Sequence, residues 1–270
     1  GPDIGGILMK ASYLKEDSDI EGGFAGVFGQ IAQQYFQKYG DQSDALARIA
    51  AKNHKNGVSN PMAQLRKDFG YEFCREVSDK NPIVAGPLKR TDCSLVSDGA
   101  AAVVLADMET ALTMEKAVVF RARSHVNDYL PMGRRDMSHL DGCAQAWANA
   151  LSDGKLTLDD LSMVETHDCF TMAELMEYEA MGLTKVGEGA RALEEGWTEK
   201  DGKLPINPSG GLKSKGHPIG ATGVSMHVLA AMQLRGEAGD MQIDGTDLVG
   251  TFNMGGAAVA NYVSILESLK

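Results

Sequence analysis

The sequence predicts an α/β protein in which helices cover both faces of mixed β-sheets. Between residues 98 and 252, apolar runs typical of strands alternate with helical patterns, and two strand-like runs then close the chain. The 270 residues are 43% hydrophobic and include 31 glycines, which is the composition of a globular chain rather than a disordered one.

The first 92 residues are predicted to form a mainly helical excursion on the surface of the larger fold. Apolar residues at helical spacing follow Phe24, and Gly40 is a natural end for that helix. The polar segment 41–44 provides N-cap residues for a second helix, which the Asn-Pro pair at 60–61 ends. The rest of this region is expected to contain an irregular segment at 1–23, short helices at 62–80 and a short edge strand at 83–88.

The run that most resembles a buried strand lies in the middle of the chain. Asp98 and Gly99 form a turn, and the continuous apolar run that follows to Ala106 predicts a central strand covered on both faces. The remaining pattern predicts a short helix at 107–114, a strand at 117–122, a helix at 141–151, a strand at 163–166, a helix at 170–180, a charged surface segment at 185–203, and strands at 248–252 and 257–266 joined by residues 253–256.

Charge and cysteine content limit the classes of function. The chain has 37 acidic and 26 basic residues, and the resulting net charge of −11 argues against broad binding to nucleic acids or membrane surfaces. No apolar run approaches the length of a membrane span. The four cysteines are far apart and form no CxxC pair, so we expect free thiols in a cytoplasmic protein and no metal site.

The glycine-rich segment 207–223 organises the rest of the chain. It contains five glycines, two prolines and His217, and an apolar helical pattern begins directly after it. His217 is therefore expected on a rigid loop that opens a helix. Unpaired N–H groups at a helix start suit an oxygen that gains negative charge, and an imidazole beside them can do acid–base work near neutral pH.

Three polar turns are each expected at the end of an inferred strand. They are His-Asp-Cys-Phe at 167–170, Gly-His-Pro at 216–218 and Asn-Met-Gly-Gly at 253–256. Because sites in α/β folds assemble at strand ends, we expect these turns to meet. For Cys169 the alternative is a small buried apolar side chain, for His167 a core histidine bound to a carbonyl, and for His217 a structural cap of the loop.

Together these segments resemble the thiolase superfamily. The run GHPIGATG at 216–223, with HDCF before it at 167–170 and NMGG after it at 253–256, is similar to the C-terminal part of that superfamily. The HDCF motif resembles the sterol-carrier-protein-2 type of thiolase. Asp-Gly-Ala-Ala at 98–101 and Lys-Asn-His at 52–54 fit the same family, so the likeness spans the whole chain.

The resemblance implies a thiolase-like layered fold that is incomplete at its N-terminus. Residues 1–92 then correspond to the mainly helical excursion of the N-terminal half, residues 93–113 to its last strand and linker, and residues 114–270 to the C-terminal domain. The acylated cysteine of the family is expected on a segment that precedes residue 1 or on a second polypeptide, or it is absent. Neither Cys74 nor Cys93 lies in the small-residue turn that such a nucleophile needs.

The implied reaction is the reversible Claisen condensation or thiolytic cleavage of 3-oxoacyl-CoA. By resemblance, His217 activates the acylated cysteine and donates to the enolate oxygen, and Cys169 is the acid–base thiol. His167 replaces an asparagine that orients a water in the oxyanion hole, and Gly255 resembles a glycine of the second oxyanion hole. Asn253 stands where other thiolases have an acid–base cysteine, and an amide cannot shuttle protons.

The resemblance also implies the ligands and partners. Coenzyme A enters as a substrate, with no resident cofactor, and the protein is expected to form a dimer or tetramer. Lys52, His54 and Arg66 are assigned to the coenzyme A tail, and Ser209 and Gly210 to the pantetheine path. Lys213 and Lys215, also on the loop, are read as binding residues or as plain solvated charges.

Two other functions stay open from the sequence. Thiolase-like aldolases that cleave CoA esters need no acylated cysteine, which suits a chain without a recognisable nucleophile. A non-catalytic subunit of a thiolase-like complex is the other alternative, although the GHP and HDCF segments argue for chemistry.

Overall fold

A computed structural model describes the backbone of residues 2–269 and the side chains of residues 5–269. The α-helices are α1 (Pro2–Leu8), α2 (Leu14–Asp17), α3 (Phe24–Tyr39), α4 (Ser43–Val58), α5 (Gly70–Arg75), α6 (Met108–Thr113), α7 (Asp141–Gly154), α8 (Thr171–Ala180), α9 (Gly189–Glu194), α10 (Gly211–Ser214) and α11 (Thr222–Leu234). The strands are β1 (Ile83–Ala85), β2 (Leu88–Lys89), β3 (Val118–Asn127), β4 (Met163–Glu165), β5 (Leu248–Gly255) and β6 (Ala260–Ser268).

The main sheet is mixed and has the strand order β3-β6-β5-β4. Strand β6 pairs antiparallel with both β3 and β5, whereas β4 pairs parallel with β5. The parallel pair requires the long crossover through α8 and the glycine-rich loop between β4 and β5. The sheet therefore places the end of β4 beside β5, where the HDCF and NMGG segments lie.

Both faces of this sheet are covered by helices, as the sequence predicts. On one face, Phe252 and Val263 belong to a large core cluster that includes Trp147 of α7. On the other face, Val249 and Leu266 pack in a second cluster with Ala230 and Leu234 of α11. Adjacent residues of a strand point to opposite faces, so each central strand contributes to two cores.

The helical layer of the first third also agrees with the sequence. Helix α3 ends before Gly40, whose φ of 86° lies in the left-handed region that glycine adopts without strain. Helix α4 buries one side against α8 and the glycine-rich loop, including Leu46 and Ile49. The segment 62–80 contains the short helix α5, as expected.

The predicted central strand at 98–106 is wrong. Residues 101–107 form no strand pairing with any part of the chain that the structure describes, and Val104 and Leu105 are 93% and 74% exposed. A strand requires a neighbouring ladder, and residues 2–269 provide none beside this run. The apolar run is instead an exposed surface.

Three smaller predictions are also corrected. The segment 1–23 contains α1, α2 and a 3₁₀ turn at Met9–Ala11 rather than only irregular structure. The single strand predicted at 83–88 is a two-stranded hairpin, because Gly86 adopts a φ of 51° and reverses the chain. Strand β5 continues through Gly255, so Asn253 lies within a strand and the turn to β6 begins at Gly256.

No helix within residues 2–269 is long and apolar enough to cross a lipid bilayer.

A buried ion pair joins the helical layer to the glycine-rich loop. The Lys52 Nζ of α4 donates to the Glu174 Oε1 of α8 at 2.6 Å, and both side chains are almost completely buried. Lys52 also donates to the Ile206 carbonyl at 3.0 Å, and the other Glu174 oxygen accepts from the side-chain amides of Asn53 and Asn207. Removing one charge would leave the other buried without a partner, which costs far more than an exposed pair contributes.

We therefore expect Lys52→Met to lower the free energy of unfolding by about 3–5 kcal/mol. The matched control is Lys55→Met on the same helix, because Lys55 forms an exposed pair with Glu199 at 3.6 Å. That change should cost less than about 1 kcal/mol. Urea unfolding followed by circular dichroism measures both values, and equal losses in the two variants would contradict a structural role for the buried pair.

Candidate active site

The structure brings together the three polar turns that the sequence singles out. The imidazole rings of His167 and His217 lie 5.0 Å apart between centroids and are nearly perpendicular, at 83°. The His167 Nδ1 is 2.7 Å from the Asn253 Oδ1. Residues from the end of β4, from the glycine-rich loop and from β5 therefore form one cluster.

His217 is held in position by a hydrogen bond of its backbone and by a hydroxyl that contacts its ring. Its N–H donates to the Leu95 carbonyl at 2.8 Å, and its Nδ1 is 2.7 Å from the Thr222 Oγ1. Gly216 adopts a φ of +109°, and a Cβ there would meet the Ser97 hydroxyl at 2.7 Å. Only glycine fits before His217 without displacing the segment around Ser97.

The start of α11 packs directly against Asn253. A Cβ on Gly223 would come within 3.2 Å of the Asn253 Nδ2, so the absence of a side chain lets the helix approach the strand. Helix α11 begins at Thr222, which contacts His217. The positive end of the helix dipole is thereby close to the two imidazoles.

Both histidines are held in their neutral form near pH 7. Burial is the main cause that lowers the pKa of His167 to about 3, helped by the proximity of His217 and Lys215 and opposed by the hydrogen bond to Asn253. Burial and the Lys215 charge lower the pKa of His217 to about 4. A neutral imidazole can accept a proton at one nitrogen or donate from the other.

The positive charge of Lys215 acts on both rings and lowers the pKa of each. Its Nζ donates to the Ser225 Oγ at 3.1 Å, and its side chain lines a cavity of about 350 Å³ with Ser97 and Pro218. Lys213 is fully buried, and burial lowers its pKa. The alternative of a plain solvated charge is therefore wrong for Lys213, whereas Lys215 is partly exposed.

Asp168, which belongs to the HDCF segment, binds the glycine-rich loop. Its carboxylate accepts from the backbone N–H groups of Leu212 at 2.6 Å and Lys213 at 3.3 Å, and from the Asn53 Nδ2 at 2.9 Å. Burial and the neighbouring Glu174 raise the pKa of Asp168, and the two amides oppose that shift. A Cβ on Gly211, where φ is +55°, would overlap the carboxylate. Asp168 was not among the predicted site residues, although its position between His167 and Cys169 was a usable signal.

Cys169 lies in the main hydrophobic core rather than in an open part of the site. It is 8% exposed and packs in the same cluster as Phe170 and Phe28. Burial, followed by the negative charges of Glu177 and Asp168, raises the pKa of the thiol well above its ordinary value. Cys169 therefore has the surroundings of a small buried apolar side chain, which is the alternative that its sequence context leaves open.

Two of the three residues assigned to the coenzyme A tail are buried. Lys52 is committed to Glu174, as described above. His54 is 3% exposed, packs edge-on against Phe69 at 4.8 Å, and has its pKa lowered to about 3, mainly by burial. Of these three residues, only Arg66 is exposed. Its guanidinium donates a hydrogen bond to the Val58 carbonyl at 2.9 Å.

Ser209 and Gly210, which the resemblance assigns to the pantetheine path, are buried and make contacts inside the protein. The Ser209 hydroxyl and N–H both donate to the buried carboxylate of Glu165, at 2.7 and 3.2 Å. Gly210 has a φ of +92°, and a Cβ there would overlap the backbone of Gly57 in α4. Both residues anchor the loop to its surroundings, because their contacts are inside the protein.

The second predicted oxyanion residue, Gly255, lies in β5 two residues after Asn253, where it pairs with Ala260. The following Gly256 has a φ of +63°, and a Cβ there would meet the Ala11 carbonyl oxygen at 2.5 Å. The N-terminal segment therefore packs closely on this turn. The four cysteines of the chain are free thiols.

Comparison with known proteins places this site in a family. Residues 124–268 match the model of the thiolase C-terminal domain-like family. The chain is 39% identical over 247 residues to acetyl-CoA acetyltransferase of Methanothermobacter thermautotrophicus, covering 90% of this chain and 63% of the relative. It is 37% identical over 243 residues to sterol carrier protein 2 of Oryctolagus cuniculus, covering 86% of this chain and 44% of the relative.

The fold agrees with a solved structure as well. The Ltp2-ChsH2(DUF35) aldolase aligns with a TM-score of 0.80 at 19% identity, over 92% of this chain and 64% of that chain. The matched family model covers more than half of the present sequence, so this is a protein of the thiolase family with a thiolase-like fold. The chain spans about two fifths to two thirds of the length of these relatives.

We expect Lys215→Met to raise the pKa of His217 above its value of about 4 while leaving it below 6.5. The substitution removes the positive charge, but burial, the larger cause of the depression, remains. Titration of the imidazole by NMR measures the change. Lys200→Met is the control, because that ammonium binds the Asp240 carbonyl on the surface. An unchanged His217 pKa in Lys215→Met would contradict the electrostatic coupling.

Proposed function

We propose that this chain contributes to a thiolase-type acyltransferase that condenses or thiolytically cleaves 3-oxoacyl-CoA, with acetyl-CoA as the second acyl thioester. The observation that carries the proposal is the meeting of His167, His217 and Asn253 from three separate segments. Membership of the thiolase family supports the same reaction class.

The geometry suits the formation and use of a thioester enolate. An enolate requires a proton acceptor for the α-carbon and fixed donors near the carbonyl oxygen. The two neutral imidazoles supply one nitrogen for each task, and the charge of Lys215 and the start of α11 both favour negative charge nearby. Exposed Arg66 is the remaining candidate for a coenzyme A phosphate.

The acylated nucleophile is proposed to come from a polypeptide segment other than residues 1–270. Burial raises the pKa of Cys74 to about 11, and it also raises the pKa of Cys93 and Cys143. With Cys169, all four thiols are therefore held in the protonated form, which is a poor nucleophile. The free thiols also favour a reducing compartment such as the cytoplasm.

We expect His217→Ala to lower the rate of acyl transfer by at least about 100-fold, because it removes both the proton acceptor and the donor at this position. Chromatography of free CoA and acetyl-CoA after incubation with acetoacetyl-CoA and added CoA measures the rate for the protein and any polypeptide that co-purifies with it. The control is His125→Ala, on the exposed part of β3. An unchanged rate in His217→Ala would favour a non-catalytic subunit instead.

An aldolase that acts on CoA esters is the second candidate, and the four protonated thiols favour it, because retro-aldol cleavage needs no acylated cysteine. Free CoA distinguishes the two reactions. Thiolysis consumes CoA and releases acetyl-CoA, whereas retro-aldol cleavage leaves the CoA concentration unchanged. Product release that is independent of added CoA would replace the acyltransferase with the aldolase.

The exposed run at 101–106 is proposed to pair with another part of the fold or with a second polypeptide. Val104 and Leu105 adjoin a groove of about 460 Å³ whose other apolar residues include Met108, Phe120 and Met232. A contiguous apolar surface of this kind marks an interaction site. A thiolase-like dimer or tetramer is the assembly that this surface and the family membership support.

We expect Val104→Glu to abolish this association, because it places a charge in the apolar contact. Light scattering coupled to size-exclusion chromatography compares the mass of the purified protein with that of the variant. Val77→Glu is the control, since Val77 is 61% exposed outside the groove. A wild-type mass of 28.8 kDa with no co-purifying polypeptide would contradict the proposed association.

A further inference from the structure

The imidazole of His217 has one nitrogen that the protein binds and one that it does not. The Nδ1 lies 2.7 Å from the Oγ1 of Thr222, the first residue of α11. The Nε2 has no hydrogen-bond partner within residues 5–269. His217 is partly exposed, whereas Thr222 is 1% exposed. The Thr222 hydroxyl is therefore the protein group that can decide which nitrogen of the ring carries the proton.

A second contact of the Thr222 hydroxyl shows where its single proton points. The Oγ1 donates to the Pro218 carbonyl at 3.3 Å. This carbonyl also accepts the Ala221 N–H at 2.7 Å, which its two lone pairs allow. Because its proton is used on Pro218, the hydroxyl faces the His217 Nδ1 with a lone pair and accepts a hydrogen bond from it.

An acceptor beside Nδ1 selects one tautomer of the neutral ring. A neutral imidazole carries a single N–H, so a proton on Nδ1 leaves Nε2 with a free lone pair. Burial and the charge of Lys215 lower the pKa of His217 to about 4, which keeps the ring neutral near pH 7. The nitrogen that the protein leaves unbound is therefore a proton acceptor.

The first turn of α11 also holds the lysine that acts on this ring. The Lys215 Nζ donates to the Ser225 Oγ at 3.1 Å, and the Ser225 hydroxyl donates to the Thr222 carbonyl at 2.8 Å. The side chain of Thr222 thus contacts the imidazole, while its carbonyl supports the serine that binds the ammonium. One turn of helix positions both groups.

The backbone around His217 keeps the ring beside Thr222. His217 pairs with Val96 in a parallel β-bridge, and its N–H donates to the Leu95 carbonyl at 2.8 Å. The proline at 218 restricts the backbone on the other side of the histidine. With the backbone held in this way, the partner of Nδ1 sets the proton position.

We propose that Thr222 is the positioning residue of His217: its hydroxyl accepts the Nδ1–H and donates to Pro218, so that the Nε2 remains the acceptor that meets the substrate. This inference rests on the proposed function and names the residue that prepares the histidine for it. Thr222 itself touches no reacting atom.

The selected tautomer suits both tasks that the family resemblance assigns to His217. When a thiol attacks the thioester, its S–H bond breaks and the proton passes to the Nε2. The electron pair left on sulfur forms the bond to the carbonyl carbon, and the carbonyl oxygen takes the negative charge. The new Nε2–H can then donate to that oxygen. A ring that already carries its proton on Nε2 could not take up the thiol proton there.

The first experiment determines the tautomer and needs no turnover. Nitrogen-15 NMR of the imidazole should show Nδ1–H for His217 in the wild-type protein. Thr222→Val removes the acceptor but keeps the shape of the side chain, so the fraction of Nε2–H should rise, whereas Thr222→Ser should keep the Nδ1–H. An Nε2–H ring in the wild-type protein, or an unchanged tautomer in Thr222→Val, overturns the proposal.

Two matched variants control for loss of packing. Ser225→Ala removes the hydroxyl that binds Lys215 without removing the partner of Nδ1, so the His217 tautomer should stay as it is. Thr246→Val removes a hydroxyl that donates to the Ile243 carbonyl at 2.7 Å and should change neither the tautomer nor the rate. A change in Thr246→Val as large as that in Thr222→Val would contradict a specific role of Thr222.

The second experiment measures acyl transfer by the protein and any polypeptide that co-purifies with it. Thr222→Val should lower kcat by at least about 10-fold with KM within about twofold, because only the proton transfer loses its acceptor. Thr222→Ser should restore kcat to within about threefold of the wild-type value. A loss confined to KM, or no recovery in a Thr222→Ser variant that thermal unfolding shows to be folded, would contradict a positioning role.

The two experiments separate this inference from the proposed function. If the wild-type protein transfers no acyl group, the proposed function fails, while a His217 Nδ1–H that is lost in Thr222→Val still supports the role of Thr222. If acyl transfer is present and Thr222→Val keeps both tautomer and rate, the proposed function stands and the role of Thr222 fails. The wild-type tautomer tests the proposal even if Thr222→Val does not fold.

Discussion

The geometry of the site depends on a buried set of charged and amide side chains beneath the glycine-rich loop. Asp168 accepts from two backbone amides of the loop, and Asn53 links that carboxylate to Glu174, which in turn binds Lys52. The loop cannot move away from α4 or from the end of β4 without leaving a charge unpaired in the core. Such a penalty is larger than any single loop contact.

The same burial that makes this anchor costly to break also sets the chemistry of the histidines. His167 lies next to Asp168 in the chain. The segment that binds the glycine-rich loop through Asp168 therefore also positions the imidazole of His167 in the site. Removal from water keeps His167 and His217 uncharged, and the nearby Lys215 reinforces the effect. Glycines at 211, 216 and 223 permit the close contacts, because each lies where a side chain would meet the site or its supports.

Much of the fold could be predicted because it depends on local patterns. Helices α3 and α4, the strand pair β5 and β6, and the loop that opens α11 all follow from apolar spacing and from glycine or proline positions. The run at 98–106 shows the limit of this reasoning. Its apolar side chains favour burial, but a strand also needs a neighbouring strand to pair with. Within residues 2–269, no strand lies beside this run.

The sequence by itself determined the family, the layered α/β architecture and the three segments from which the site is built, since these depend on short motifs and on their order. The tertiary structure alone decided what each side chain of those segments does. Lys52, His54 and Ser209 have the chemistry of ligand-binding groups, yet their partners lie inside the protein. Hydrogen-bond partners and exposure to water depend on which distant segments pack together, and a residue's type does not specify them.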